Sequence, residues 1–91
     1  MSDEVLGANI LDGIEDQVIQ NFAKVSGCQP GQIVRETRID SISVDSLDLV
    51  DITFDIENFY DIDIPDDRIF DSETVGDFID MVKERVAMGN A

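Results

Sequence analysis

Apolar residues return every three or four positions in three stretches of the chain, and those stretches predict three helices with one buried face each. Ile10, Leu11, Ile14, Val18, Phe22 and Val25 form the first series, giving a helix near 10–26. A start as early as Val5 fits the spacing, but Gly7 and Gly13 weaken it. Residues 1–9 are therefore set apart as an N-terminal extension, and 88–91 as a tail. Gly27 follows the last periodic residues and suits a left-handed helix stop. Residues 28–44 contain Pro30, Gly31 and several Ser and Thr, which reads as a long loop whose Ile33, Val34, Ile39 and Ile42 fold back onto the core. A second helix spans 46–60, Pro65 marks a turn, and a short helical turn is expected near 67–70. Ser72 is placed to cap a last helix over 73–87, with Val75, Phe78, Ile79, Val82 and Val86 inward. Ile62-Asp63-Ile64 alternates, but is too short for a strand. The expected fold is all-α, a small three- to four-helix bundle in a single domain over 1–91.

The second helix departs from a plain two-faced pattern. At 100° per residue, Leu49, Ile52, Ile56, Phe59 and Tyr60 share one broad face, the natural core side. Asp48, Asp51 and Asp55 lie together beside it. Leu47, Val50 and Phe54 make a narrow apolar ridge on the opposite side, with Glu57 beyond. Large apolar groups bracketed by carboxylates are what a docking surface needs: the apolar anchors supply affinity and the charges steer approach. The competing account is a ridge covered by a loop or another helix.

Charge separates these accounts. Asp and Glu number 21 against 6 Lys and Arg, a formal net charge of -15. From Asp40 to Asp67 there is no Lys or Arg, while acidic groups stand at 40, 45, 48, 51, 55, 57, 61, 63, 66 and 67. A helix built only for stability would mix signs to gain pairs four residues apart. The single sign favours a docking face for a basic protein partner and disfavours nucleic acid and anionic membrane surfaces. No apolar run approaches the roughly 20 residues of a membrane span. Cys28 is the only cysteine, so no internal disulfide forms, and the acidic N-terminus does not resemble a signal peptide; a cytoplasmic location is expected. At 91 residues the chain is too small for a deep catalytic cleft.

Candidate chemistry centres on Asp45 and Ser46. Asp at a helix N-cap satisfies free amide groups, and a Ser behind it is ordinary there. The chain has no histidine, which excludes a Ser-His-Asp arrangement and a zinc site of Cys and His. A calcium loop beginning at Asp61 fails, because Pro65, Asp66 and Ser72 fall where an oxygen ligand, a glycine and a bidentate glutamate belong. Ser46 is then either part of a cap or a point of attachment.

With Asp45-Ser46-Leu47-Asp48 ahead of an acidic helix, and Ile64-Pro65-Asp66-Asp67 after it, the chain resembles the acyl carrier proteins. The likeness runs from about Ile14 to Val86, and Val75 opens the last helix in register. It implies a non-catalytic, free-standing carrier with 4'-phosphopantetheine attached covalently to Ser46, acyl groups held as thioesters on the arm, and a place in fatty-acid or lipid synthesis. Asp45, Leu47, Asp48, Val50, Asp51, Phe54, Asp55 and Glu57 match the surface such carriers offer to the phosphopantetheinyl transferase and to acyl-loading and acyl-transferring enzymes with basic patches. Leu49, Ile52, Thr53, Ile56, Ile64 and Val75 would line an acyl-chain cavity in a monomer. Ser43 stands two residues before Asp45 where the family usually has Gly, and Phe54, Phe59 and Phe70 are unusual aromatics. These departures suggest a specialised member. The alternatives are an aminoacyl or peptidyl carrier and an acidic adaptor without a prosthetic group.

Overall fold

The computed structural model describes residues 2–88, with side chains from Gly13 onward. Four α-helices follow one another: α1 (Ser2–Ser26), α2 (Ser46–Tyr60), α3 (Asp66–Ile69) and α4 (Val75–Met88). Two single-turn 3-10 helices, Pro30–Gln32 and Ile39–Ser41, interrupt the long loop. The fold is the small all-α bundle that the periodicity predicts. Among the described residues the one β-type pairing is an isolated antiparallel bridge between Arg38 and Thr74.

α1 starts at Ser2 rather than near 10, so the backbone of 2–9 continues the helix. Two glycines cost about 1 kcal/mol each, but Leu6, Ala8 and Leu11 are strong helix formers, and the summed propensity decides. Met1 and 89–91, hence most of the expected tail, lie outside the described residues. α1 ends as expected, with Gly27 at φ 80 and its N–H donating to Ala23 O at 2.9 Å.

Ile14, Val18 and Phe22 of α1, Ile52 and Ile56 of α2, and Phe78, Ile79 and Val82 of α4 are almost wholly buried in one core. Phe22 and Phe78 meet edge to face with ring centroids 5.4 Å apart, joining α1 to α4. Ile64, just before α3, and Ile69 of α3 belong to the same core.

The long loop is strapped to the start of α4 through its main chain. Ile39 N–H donates to Glu73 O at 3.0 Å, Val75 N–H to Thr37 O at 2.9 Å, and Gly76 N–H to Arg35 O at 2.8 Å. Arg35 Nη2 donates to both carboxylate oxygens of Asp80, at 2.8 and 2.9 Å, and Nη1 makes a longer ion pair to Glu15 at 3.8 Å, so one side chain spans α1, the loop and α4. Ile33 and Ile39 are buried, and Ile42 packs partly against the core. Val34 does not fold inward as the sequence suggests; it is half exposed. It opens a tight turn in which Thr37 Oγ1 accepts from its N–H at 2.9 Å, and that turn points it outward.

The cap of α4 also differs from expectation. Thr74, not Ser72, holds it: Thr74 Oγ1 accepts from Asp77 N–H at 3.1 Å, and Asp77 Oδ2 accepts from Thr74 N–H at 3.3 Å and Glu73 N–H at 3.2 Å. The helix begins at Val75, leaving Ser72 too far upstream to reach its free amides. These backbone donors hold the Asp77 carboxyl below its ordinary pKa.

Two expected outcomes follow from this strap. A Cβ on Gly76 would sit 2.9 Å from the Arg35 carbonyl oxygen, a backbone atom that the bridge prevents from yielding. Gly76→Ala therefore gains roughly 1 kcal/mol of helix propensity but loses more, overpacking costing about 1–3 kcal/mol; a urea midpoint equal to or above wild type would contradict the close approach. Asp77 has a folded pKa below its unfolded value, so its stabilising contribution is complete above roughly pH 4 and is lost as pH falls through the folded value. The stability gap between wild type and Asp77→Asn should close over that acid range in urea melts. A gap that persists unchanged into stronger acid would show that its charge does not matter.

Candidate functional site

Asp45 ends the loop in an extended conformation, φ -94 and ψ -175, and the chain turns at once into α2. Its Oδ1 accepts from Asp48 N–H at 2.9 Å, and Asp48 Oδ2 accepts from Asp45 N–H at 3.3 Å. This reciprocal capping box satisfies one amide of the helix and one of the loop. Ser46 is the first residue inside the helix. It is exposed, and its hydroxyl has no hydrogen-bond partner among the described residues. The sequence left Ser46 as either cap or attachment point; the cap is made by its two neighbours, so the hydroxyl remains available.

A shallow groove of about 270 Å³ lies beside Ser46, between the loop, α2 and the α3–α4 junction. Ile39, Val44, Leu49 and Phe70 supply its apolar wall, and Arg38, Asp40, Ser72 and Glu73 its polar rim. Arg38 is held by Asp40 at 3.2 Å and Glu73 at 3.8 Å, which raises its own pKa and lowers that of Asp40. Sequence reasoning noticed Phe70 only as an odd aromatic and missed Arg38, Ser72 and Glu73, which reach the groove through folding alone.

The outer side of α2 follows the wheel at Leu47, Asp51, Phe54 and Asp55 and departs from it at Phe59 and Glu57. Leu47 and Phe54 are 74% and 57% exposed, Asp51 and Asp55 are exposed, and Val50 and Asp48 are half-buried. Phe59 was expected inward and is 63% exposed. Thr53 is buried instead, its hydroxyl donating to Leu49 O at 2.8 Å; this rotates the buried stripe away from Phe59, whose ring rests edge-on against the half-buried Tyr60 at 4.8 Å. That burial raises the Tyr60 pKa.

Glu57 does not stand free on this face. It is half-buried and its Oε2 accepts from Ile64 N–H at 2.7 Å. The six proposed cavity residues, Leu49, Ile52, Thr53, Ile56, Ile64 and Val75, are all buried and belong to the central core. Phe54 borders a wider surface groove of about 680 Å³ with Asn21, Lys24, Val25, Asp51 and Asp55, which no periodicity could reveal.

α2 thus opens with the exposed, unengaged Ser46 hydroxyl, beside a face that is apolar and acidic. The family profile described as "Phosphopantetheine attachment site" matches residues 16–82. The acyl carrier proteins of Rickettsia canadensis and Rickettsia rickettsii are each 40% identical to the chain over 75 residues, covering 81% of this chain and 87% of theirs. That of Rickettsia prowazekii matches to the same extent. The chain belongs to the acyl carrier protein family. It is a non-catalytic carrier with a covalently bound 4'-phosphopantetheine, and it works with phosphopantetheinyl transferases and acyl-handling enzymes. Among the described residues, no helix is long and apolar enough to cross a membrane.

Exposure on α2 sets an expected contrast in unfolding measurements. Phe54→Ala should change stability by no more than about 0.5 kcal/mol, as surface substitutions usually do. Ile56→Ala should cost about 2–5 kcal/mol. Equal losses would place Phe54 in the core.

Proposed function

We propose that Ser46 carries the 4'-phosphopantetheine and that the chain, acting as a single carrier domain over 1–91 and as a monomer in the cytoplasm, presents acyl groups to enzymes of fatty-acid or lipid synthesis. The observation that carries the reading is the exposed, unengaged Ser46 hydroxyl at the first position of α2. An arm joined there begins with a phosphodiester close to the positive helix end, where an anion is favoured. The thiol at the other end of the arm supplies the thioester chemistry. What the chain itself does is hold the attachment point still and offer a surface.

Asp45, Leu47, Asp48, Val50, Asp51, Phe54 and Asp55 form that surface. Leu47 and Phe54 are anchors that a partner can desolvate, while Asp51 and Asp55 attract its basic groups. Asp45 and Asp48 contribute charge although their carboxylates also cap the helix. The ion pairs of Arg35, Arg38, Arg68 and Lys83 lie on other elements, and Lys24 of α1, which shares the Phe54 groove with Asp51 and Asp55, offsets only part of the anionic charge of α2. Leu49, Ile52, Thr53, Ile56, Ile64 and Val75 would shelter an acyl chain once the core parts. An aminoacyl or peptidyl carrier would use the same attachment; the 40% identity to proteins named acyl carrier protein favours acyl cargo.

Incubation with a phosphopantetheinyl transferase and coenzyme A should add one phosphopantetheine to the intact mass. Ser46→Ala, whose cap is intact, should gain nothing and keep its helicity. An unmodified wild type, or a modified Ser46→Ala, would refute the assignment.

A further inference from the structure

Resting on the reading that the core shelters an acyl chain, we propose that Glu57 is a latch that closes the loop between α2 and α3 over that cargo. Sequence reasoning placed Glu57 on the docking face, one helical turn beyond Phe54. Its carboxylate is instead turned toward the loop.

A single residue of α2 holds three attachments to the segment 61–64. The Glu57 backbone carbonyl accepts from the N–H groups of Asp61 and Ile62, the latter at 3.1 Å. Its side-chain Oε2 accepts from Ile64 N–H at 2.7 Å, a short bond to a charged acceptor. Between these points Asp61 takes a left-handed conformation, φ 56, which a non-glycine residue adopts at a cost and keeps only where its surroundings hold it. From the other side, Arg85 of α4 donates from Nε to Asp63 O at 3.0 Å. The loop thus bridges the ends of α2 and α4, and the part that enters the core is Ile64, 3% exposed.

Ile64 is also one of the six side chains proposed to surround the acyl chain. The backbone carbonyl bonds of Glu57 simply end the helix, and many helices end so. The carboxylate bond is different, because it can be released without unwinding α2: one side-chain rotation frees Ile64 N–H and leaves the bond from Arg85 to Asp63 O and the burial of Ile64 as what still holds this part of the loop. An acyl chain entering between α2 and the loop needs Ile64 to move outward, and the carboxylate bond opposes it. Glu57 is accordingly a positioning residue, acting on the cargo through Ile64.

The test uses the full chain bearing an octanoyl thioester on its phosphopantetheine arm, as wild type, Glu57→Gln and Glu57→Ala. Amide exchange by NMR reads the latch: Glu57→Ala should exchange Ile64 N–H about tenfold faster or more, with Phe78 N–H unchanged, and Glu57→Gln, which keeps an acceptor oxygen, should lie between. Hydroxylamine attack on the thioester reads the cargo, and should follow the same order of the three proteins. Unchanged Ile64 exchange, or faster exchange with a thioester no more reactive, overturns the latch. If the wild-type thioester already reacts as fast as free octanoyl-pantetheine, the sheltering reading fails, and the exchange data show separately whether the bond holds the loop. Glu57→Gln keeps the comparison informative if Glu57→Ala is poorly folded.

Discussion

The exchange of hydrogen bonds between Asp45 and Asp48 is the constraint from which the rest of the site follows. It fixes where α2 begins, and so makes Ser46 the first helical residue rather than a cap. Once the cap is supplied by its neighbours, the serine hydroxyl has no structural task. It also fixes the rotation of α2, because a helix anchored at one end and packed through Leu49, Ile52, Thr53 and Ile56 has one stripe left to show. Leu47 and Phe54 lie in that stripe. Their exposure costs the free protein solvation of apolar surface and gives a partner something to bury.

Charge is distributed in a way that serves the same end. Arg35, Arg38, Arg68 and Lys83 are tied to carboxylates of the loop, α4 and α1. Each such surface pair contributes little stability, about 0–1 kcal/mol. Their larger consequence is positional: cations are retained where the chain must be strapped together, and α2 has none. In a protein with net charge -15, the four carboxylates of α2 therefore have no counter-charge on their own helix.

Much of this was legible beforehand because it is encoded over three or four residues. The 3.6-residue recurrence of Ile14, Val18 and Phe22 needs no knowledge of the partners to predict a buried helix face, and Gly27 needs none to predict its end. Ser72 and Thr74, in contrast, are both credible caps, and the choice between them depends on where α4 starts. That start is set by the main-chain bridge from Thr37 to Val75, two segments far apart in sequence. Phe59 shows the same limit from another side. Wheel geometry puts it at the margin of the buried face, and the burial of Thr53 with an internal hydrogen bond tips it outward.

The amino-acid sequence alone determined the three long helices, the serine set behind a capping aspartate, and an acidic helix with an apolar ridge, since these arise from local periodicity, local capping and counts of charge. The family resemblance in Asp45-Ser46-Leu47-Asp48 was equally local. Only the tertiary structure decided that Gly76 must lack a side chain against Arg35, that Phe70 and Arg38 line one groove beside Ser46, and that the Glu57 carboxylate bonds to the Ile64 amide. Each of those contacts joins residues whose separation is closed by packing of the core, and burial of apolar surface is not directional enough for sequence spacing to specify which polar groups it brings together.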